Sequence, residues 1–336
     1  MLALKQILRP LAQVLKLKTV MQQPTVVGSD TVFLPELNLA QLLACQKQSS
    51  GIGANLRMPS RSMLAGQHRS TRQGRGMELS EIRNYQAGDD IRLMDWKVTA
   101  RTQRPHTKVF MEEKERPVQL VVDLSASMLF GSQRSKAEQA AHLAATLGWA
   151  IVRQGDRCGG LVFNGTQHQL IRPKARQQGL LPLFQQLCQF APMLVQPEGR
   201  SEAGRMNQML QLVAAQKGHG NLLVIISDFW SLDLAGKALL RRLASNHQLL
   251  AIHISDPLEY QLPNSPCYLV GGQALSQTVF FDGHDKSDRQ RYQLLFDQRQ
   301  QGLEEMLLQV GGYYIQLSTT EHVADKLKRF FTLHNK

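Results

Sequence analysis

The stretch that decides the fold is Pro117–Ser127, PVQLVVDLSAS, in which an apolar run ends in an aspartate and two alternating serines. Residues 118–122 predict a short buried strand, because β-branched side chains suit a pleated sheet and the run has the length of a strand. Asp123, Ser125 and Ser127 then fall on the loop that leaves this strand. Loops at the carboxyl ends of strands converge in open α/β sheets, so these three side chains are candidates for a binding site.

A second apolar run about a hundred residues later ends in the same way. The stretch Asn221–Phe229, NLLVIISDF, predicts a strand that runs into Ser227 and Asp228. Two strands of one sheet that both end in aspartate predict a shared site, and carboxylate and hydroxyl oxygens suit a hard cation such as Mg²⁺. The alternative is that these side chains only cap the helices that follow.

Length and composition favour a folded α/β protein without a membrane span. A chain of 336 residues with 43% hydrophobic residues is long enough for one large domain and a smaller one. No uncharged run has the length and apolarity of a membrane helix. The four cysteines are far apart and form no CxxC pair, which argues against a zinc site or a disulfide framework and fits a reducing compartment. We therefore expect a cytoplasmic protein.

The net charge of +12 is concentrated near the amino terminus, where residues 1–116 hold 18 Lys and Arg against 10 Asp and Glu. Residues 1–20 interleave leucines with lysines and predict an amphipathic helix, broken near Pro10. Its basic edge could place the protein peripherally at a membrane, or the helix could pack on the main domain or a partner. The basic third also leaves nucleic-acid or anionic-surface binding as the alternative function, although aromatic stacking platforms there are sparse.

The order of elements predicts a doubly wound, mostly parallel α/β sheet of the Rossmann type, because strands and helices alternate from residue 117 to the end. Three segments are expected: an N-terminal helical or irregular segment at 1–55, an extension with short strands at 56–116, and the main domain at 117–336. Within the first two, residues 37–45 predict a helix, while 91–98 and 107–111 predict strands.

The extension contains a dense run of charges from Gly74 to Arg101, GRGMELSEIRNYQAGDDIRLMDWKVTAR. These charges are close enough in sequence to pair and brace the small region onto the large one; the alternative is a docking surface for a partner. The residues concerned are Arg83, Tyr85, Asp89, Asp90, Arg92, Asp95, Trp96 and Arg101.

Several of these patterns together resemble a known family. The D-x-S-x-S loop with a second strand-end aspartate resembles a von Willebrand factor type A domain and its metal-ion-dependent adhesion site. More closely, residues 56–260 resemble the bacterial family called domain of unknown function 58. The matching motifs are GxHxS (Gly66, His68, Ser70), GxGxE (Gly74, Gly76, Glu78), RxYxxGDDxRxxDW (83–96), Ala100-Arg101 and SDPLE (Ser255–Glu259).

The resemblance implies a non-enzymatic binding module that acts with an AAA+ ATPase of the MoxR type and assists in maturing or assembling a client protein. It implies that Asp123, Ser125 and Ser127 form the first metal loop and that Asp228 belongs to the third. The family usually supplies a threonine in the middle loop, whereas this chain offers Ser201 after Gly199. Many relatives carry two membrane helices ahead of the shared region, and we identify none in this sequence.

An enzymatic function is not expected. The sequence contains no GxxxxGK[ST] phosphate loop, no GxSxG elbow and no HExxH zinc motif. Two aspartates and a few hydroxyls would leave Mg²⁺, or in its place Mn²⁺ or Ca²⁺, with a position open to an incoming ligand. We therefore expect an aspartate or glutamate of a partner to complete the coordination.

Overall fold

The computed structural model describes residues 37–52, 77–112, 115–191, 204–216, 220–264, 268–270 and 279–334. Residues 1–20 and Ser201 lie outside these ranges, as do the motif residues Gly66, His68, Ser70, Gly74 and Gly76. The expectations for those positions therefore stay predictions.

The centre of the protein is a six-stranded sheet. Its strands, in spatial order, are β10 (Tyr313–Ser318), β7 (Gln248–Ser255), β6 (Leu222–Ser227), β3 (Pro117–Asp123), β4 (Arg157–Phe163) and β5 (His168–Lys174). Neighbouring strands run parallel from β10 to β4, and β5 closes one edge as an antiparallel strand. This arrangement confirms the prediction of an α/β fold with a mostly parallel sheet.

Helices cover both faces of this sheet because successive side chains of a buried strand point to opposite sides. Val122 joins the apolar core under one helical layer, and Val121 joins the core under the other. The first layer contains α1 (Leu39–Gln48), α3 (Lys136–Arg153), α4 (Gln177–Phe190) and α9 (Val323–His334). The second contains α5 (Arg205–Ala214), α6 (Leu234–Asn246) and α8 (Lys286–Gln309). None of the helices in the described ranges is both long and apolar enough to cross a membrane.

Helix α1 packs on helices α3 and α4 of the first layer. Helix α1 begins at Leu39, and Asn38 caps it by accepting a hydrogen bond from the backbone nitrogen of Gln41. The indole Nε1 of Trp149 in α3 donates to the carbonyl of Leu42 over 3.1 Å. This contact fixes α1 on the first helical layer, where the sequence predicted a helix at 37–45.

The extension forms a two-stranded antiparallel sheet of β1 (Met77–Asn84) and β2 (His106–Glu112). The strand predicted at 107–111 is confirmed, but the strand predicted at 91–98 is wrong. That stretch forms a 3₁₀ turn at Ile91–Leu93 and then helix α2 (Trp96–Thr102). The reason is local capping, since Asp90 accepts from the backbone nitrogen of Arg92 and Asp95 from those of Lys97 and Val98.

Two further elements complete the described chain beyond β7. The short helix α7 (Pro257–Tyr260) follows β7 directly, and a small hairpin pairs β8 (Tyr268–Val270) with β9 (Val279–Phe281). The sequence predicted neither strand of this hairpin, because three-residue strands leave too short a pattern to recognise.

Candidate functional site

The two aspartate-ending strands lie side by side. Strand β3 pairs in parallel with β6, and the register places Val122 opposite Ile226, so that Asp123 and Ser227 leave the sheet at the same level. The chain continues from β3 to β4 on one side and later returns to β6 on the other. The sheet therefore reverses its order between β3 and β6, which is where open α/β sheets bind ligands.

Asp123 is buried and held by hydrogen bonds alone. Its Oδ1 accepts from the backbone nitrogen of Ser125 over 2.9 Å, and its Oδ2 accepts from the hydroxyl of Ser227 over 2.6 Å. Burial and, secondarily, the negative charge of Asp228 raise the pKa of Asp123 to about 7. Within the described ranges no lysine or arginine forms an ion pair with it. Protonation or a bound cation would therefore stabilise the buried carboxylate of Asp123.

The two serines of the loop place their hydroxyls next to this carboxylate. A 3₁₀ turn over Ala126–Leu129 brings the Oγ atoms of Ser125 and Ser127 to 3.3 Å from each other. Ser125 is buried and Ser127 is half-buried. Two adjacent ligands of an octahedral ion with bonds of about 2.1 Å are about 3 Å apart, so the pair has the spacing of neighbouring metal ligands.

Asp228 has a cationic partner, in contrast to Asp123. The Nζ of Lys136 lies 2.7 Å from Oδ2 of Asp228 and 2.7 Å from Oε1 of Glu259. Burial alone would raise the pKa of Asp228, but the Lys136 ammonium holds it below its usual range. Burial would likewise lower the pKa of Lys136, but the two carboxylates raise it. Asp228 and Lys136 are therefore both charged in the folded protein.

Glu259 is positioned by the turn that follows β7. Its Oε2 accepts from the backbone nitrogen of Asp256 over 2.9 Å, which closes a capping box at the start of α7. Asp256 in turn accepts from the backbone nitrogen of Ser132 over 2.8 Å and from the hydroxyl of Thr319. These bonds tie the ends of β7 and β10 to the loop after β3, so the motif SDPLE supports the site from behind.

An arginine and an exposed tryptophan border the loop after β6. A guanidinium nitrogen of Arg299 in α8 donates to the carbonyl of Asp228 over 3.2 Å. The Cζ of Arg299 also lies 3.5 Å from the centre of the Trp230 ring, a cation–π contact. Trp230 is 46% exposed, which leaves an aromatic surface open to solvent two residues after Asp228.

Both acidic and basic side chains surround the loops that follow β3, β6 and β7. The acids are Asp123, Asp228, Asp256 and Glu259, and the bases are Lys136 and Arg299. Within the described residues, neither Asp123 nor Asp256 forms an ion pair with a lysine or arginine. No group of three His, Cys, Asp or Glu side chains in the described ranges has the arrangement of a metal cage. The carboxylate of Asp123 and the hydroxyls of Ser125 and Ser127 are oxygen donors of the kind that hard divalent cations prefer.

A family model described as Protein of unknown function DUF58 matches residues 81–302, which is more than half of this chain. The chain belongs to the DUF58 family. Two curated relatives are uncharacterized proteins of Mycobacterium tuberculosis and Mycobacterium bovis, each 33% identical over 203 residues. The match covers 60% of this DUF58 chain and 62% of each relative.

Two solved structures are similar to this DUF58 protein at low scores. One is an aerotolerance-related membrane protein from Bacteroides fragilis, with 18% identity and a TM-score of 0.38. The other is the conserved hypothetical protein BatB from Bacteroides thetaiotaomicron, with 14% identity and a TM-score of 0.35. Each comparison covers 66% of this chain and 98% of the other. TM-scores below 0.5 do not establish a shared fold.

The charged residues of the DUF58 extension pair with one another. Arg83 lies 2.8 Å from Asp89, and Lys108 lies 3.6 Å from Asp95, so both ion pairs stay within the extension. Trp96 is 67% exposed at the start of α2. Among the other residues singled out there, Tyr85 is half-buried, whereas Asp90, Arg92 and Arg101 are exposed.

Sequence reasoning brought Asp123, Ser125, Ser127 and Asp228 to one edge of the sheet, but it missed the residues that neutralise Asp228. Lys136 stands in the first turn of a helix, where a lysine normally faces solvent. Glu259 was visible within the SDPLE motif but had no assigned role. No local sequence pattern links Lys136, which stands nine positions after Ser127, with that motif.

Proposed function

We propose that this DUF58 chain is a metal-dependent protein-interaction module of the von Willebrand factor A type and not an enzyme. The observation that carries the proposal is Asp123, a buried carboxylate with no ion pair in the described ranges. It lies at the point of strand reversal beside two hydroxyls that are spaced like metal ligands. A carboxylate desolvated in this way gains more from a bound cation than an exposed one does.

The residues that would hold the ion are Asp123, Ser125 and Ser127, with Mg²⁺ as the expected cation and Mn²⁺ or Ca²⁺ as alternatives. Ser201, in the segment that the family resemblance assigns to the middle loop, is the further candidate ligand. When bound, the ion supplies an open coordination position to a carboxylate of the partner. Half-buried Ser127 leaves this side of the loop accessible to such a group.

The partner that the family resemblance supports is an AAA+ ATPase of the MoxR type, together with a client protein whose assembly it assists. Trp230 offers that partner an aromatic anchor beside the ion, since exposed tryptophans often dominate interface energies. The cytoplasm, with a peripheral position at the membrane as the alternative, is the proposed location because the four separated cysteines fit a reducing compartment.

The test is binding of a purified MoxR-type ATPase of the same organism to the immobilised DUF58 protein. Binding is measured with Mg²⁺, with excess EDTA, and with the Asp123→Ala variant in Mg²⁺. The proposal expects binding only in the first condition. Binding that survives both EDTA and Asp123→Ala would contradict it, and salt-sensitive, metal-independent capture of nucleic acid would support the alternative function instead.

A further inference from the structure

Lys136 occupies a position that is unfavourable for a lysine. It is the first residue of α3, after the cap Ser135, whose hydroxyl accepts from the backbone nitrogen of Glu138. The amino end of a helix repels positive charge, and burial of an ammonium group costs several kcal/mol unless it is paired. Lys136 is nevertheless 1% exposed, so its two carboxylate partners must account for its place in the structure.

These partners fix the direction of the ammonium group. Asp228 follows β6 and Glu259 lies in α7 after β7, and each accepts from Nζ over 2.7 Å. The position of Glu259 is fixed as well, because its other carboxylate oxygen accepts a hydrogen bond from the backbone nitrogen of Asp256. The ammonium therefore remains on the Asp228 carboxylate, which is the side chain that a nearby divalent ion would otherwise attract.

We propose that the ion pair with Lys136 keeps Asp228 from acting as a ligand of the metal ion. The pair would thereby weaken metal binding by the free protein. This inference rests on the proposed function, since it concerns the same ion. Because Lys136 already neutralises Asp228, Asp123 is the carboxylate that remains for the ion. One carboxylate does not balance the two positive charges of a divalent ion. A carboxylate of the partner would supply the missing charge, so metal and partner would each bind more tightly in the presence of the other.

The experiment compares Mn²⁺ affinity, measured by electron paramagnetic resonance, among variants of the full chain. Lys136→Met combined with Glu259→Gln removes one positive and one negative charge, so the net charge of the cluster does not change. Glu259→Gln alone is the matched control, because the ammonium then stays on Asp228. Lys136→Gln with Glu259→Gln is a second version of the double variant if the first does not fold, as judged by circular dichroism.

The double variant should bind Mn²⁺ about tenfold to a hundredfold more tightly than the wild type, because a charge within a few ångströms shifts ion binding by that order. Adding Asp228→Asn to the double variant should abolish the gain, and Glu259→Gln alone should show none. Equal affinity of the wild type and the double variant would overturn the role of Lys136 while leaving the proposed function intact.

The two proposals fail in different ways. If the wild type binds no Mn²⁺ even with a partner peptide that carries a carboxylate, but the double variant binds it, Lys136 excludes the ion and the metal-dependent function is wrong. If neither protein binds Mn²⁺, both proposals are overturned.

Discussion

The Nζ atom of Lys136 lies 2.7 Å from Oδ2 of Asp228, and each of the two side chains is 1% exposed. The pair joins the first turn of α3 to the loop after β6, two places separated by 92 positions in the chain. A buried pair of this kind contributes little net stability as a unit, but removal of one partner leaves the other charge unpaired. This asymmetry leads to the first prediction.

Lys136→Met alone should lower the free energy of unfolding by about 3–5 kcal/mol, because Asp228 and Glu259 are then left without their shared cation. Urea denaturation followed by circular dichroism measures the change. The Lys136→Met/Glu259→Gln double variant is the control and should lose less stability, since only Asp228 stays unpaired. Wild-type stability of the single variant would show that the ion pair does not matter to the fold.

His253 should make stability fall in mild acid. Burial is the main reason that its pKa drops from 6.5 to about 3, and its ring lies among Phe229, Phe296 and Tyr314, with Arg299 and Lys136 adding positive charge nearby. In the unfolded chain the imidazole of His253 is protonated near pH 6.5, whereas in the folded protein it is protonated only near pH 3. The stability that this group contributes is therefore present above pH 6.5 and is lost as the pH falls towards 3.

At pH 5 the expected loss from His253 is about 2 kcal/mol relative to pH 7. Urea denaturation at the two pH values measures it in the wild type and in His253→Gln, whose pH dependence should be weaker by that amount. His168→Gln, at an exposed histidine, is the control. Identical pH profiles for the wild type and His253→Gln would mean that the buried ring does not resist protonation.

The strand ends were predictable from the sequence because their signals are local. The apolar runs 118–122 and 222–226 each have the length of a strand and lead into an aspartate, and the alternation of strands and helices predicts a mostly parallel sheet. The pairing of β3 directly with β6 is a finding of the structure. The charge balance around Asp228 was not predictable in this way. Lys136 is buried because Asp228, in the loop after β6, and Glu259, in α7, both contact it at the start of α3. No periodic pattern in the sequence predicts that these three segments come together.

The error at 91–98 has a similar physical basis. The stretch 91–98, which mixes apolar and charged residues, suggested a strand, but Asp90 and Asp95 each cap backbone nitrogens that follow them. Capping side chains offer the backbone a competing set of hydrogen bonds, and at this position they prevail over β propensity.

Trp149→Phe should loosen helix α1. The substitution removes the hydrogen bond from Nε1 to the carbonyl of Leu42 and should cost about 1 kcal/mol. Amide hydrogen exchange of residues 39–48 should become faster, which mass spectrometry can measure. Trp96→Phe, the same substitution at an exposed position, should leave that exchange unchanged. Unaltered exchange in Trp149→Phe would show that α1 is held by other contacts.

Trp230→Ala should weaken binding of the proposed ATPase by about tenfold or more, since an exposed tryptophan beside the ion is placed as an interface anchor. The affinity of the Trp230→Ala variant for Mg²⁺ should stay near that of the wild type, because the indole supplies no metal ligand. Surface plasmon resonance for the partner and calorimetry for the ion separate the two effects. Undiminished binding of the ATPase would place the interface elsewhere.

The most direct test of the account is isothermal titration calorimetry of Mg²⁺ into the wild type and into Asp123→Ala, carried out in the presence of a saturating peptide that carries a carboxylate. The account predicts one bound ion per wild-type chain and no measurable binding in Asp123→Ala, with Ser125→Ala reduced. Equal binding of Mg²⁺ by the wild type and Asp123→Ala, or none by the wild type, would contradict a metal ion at the junction of β3 and β6.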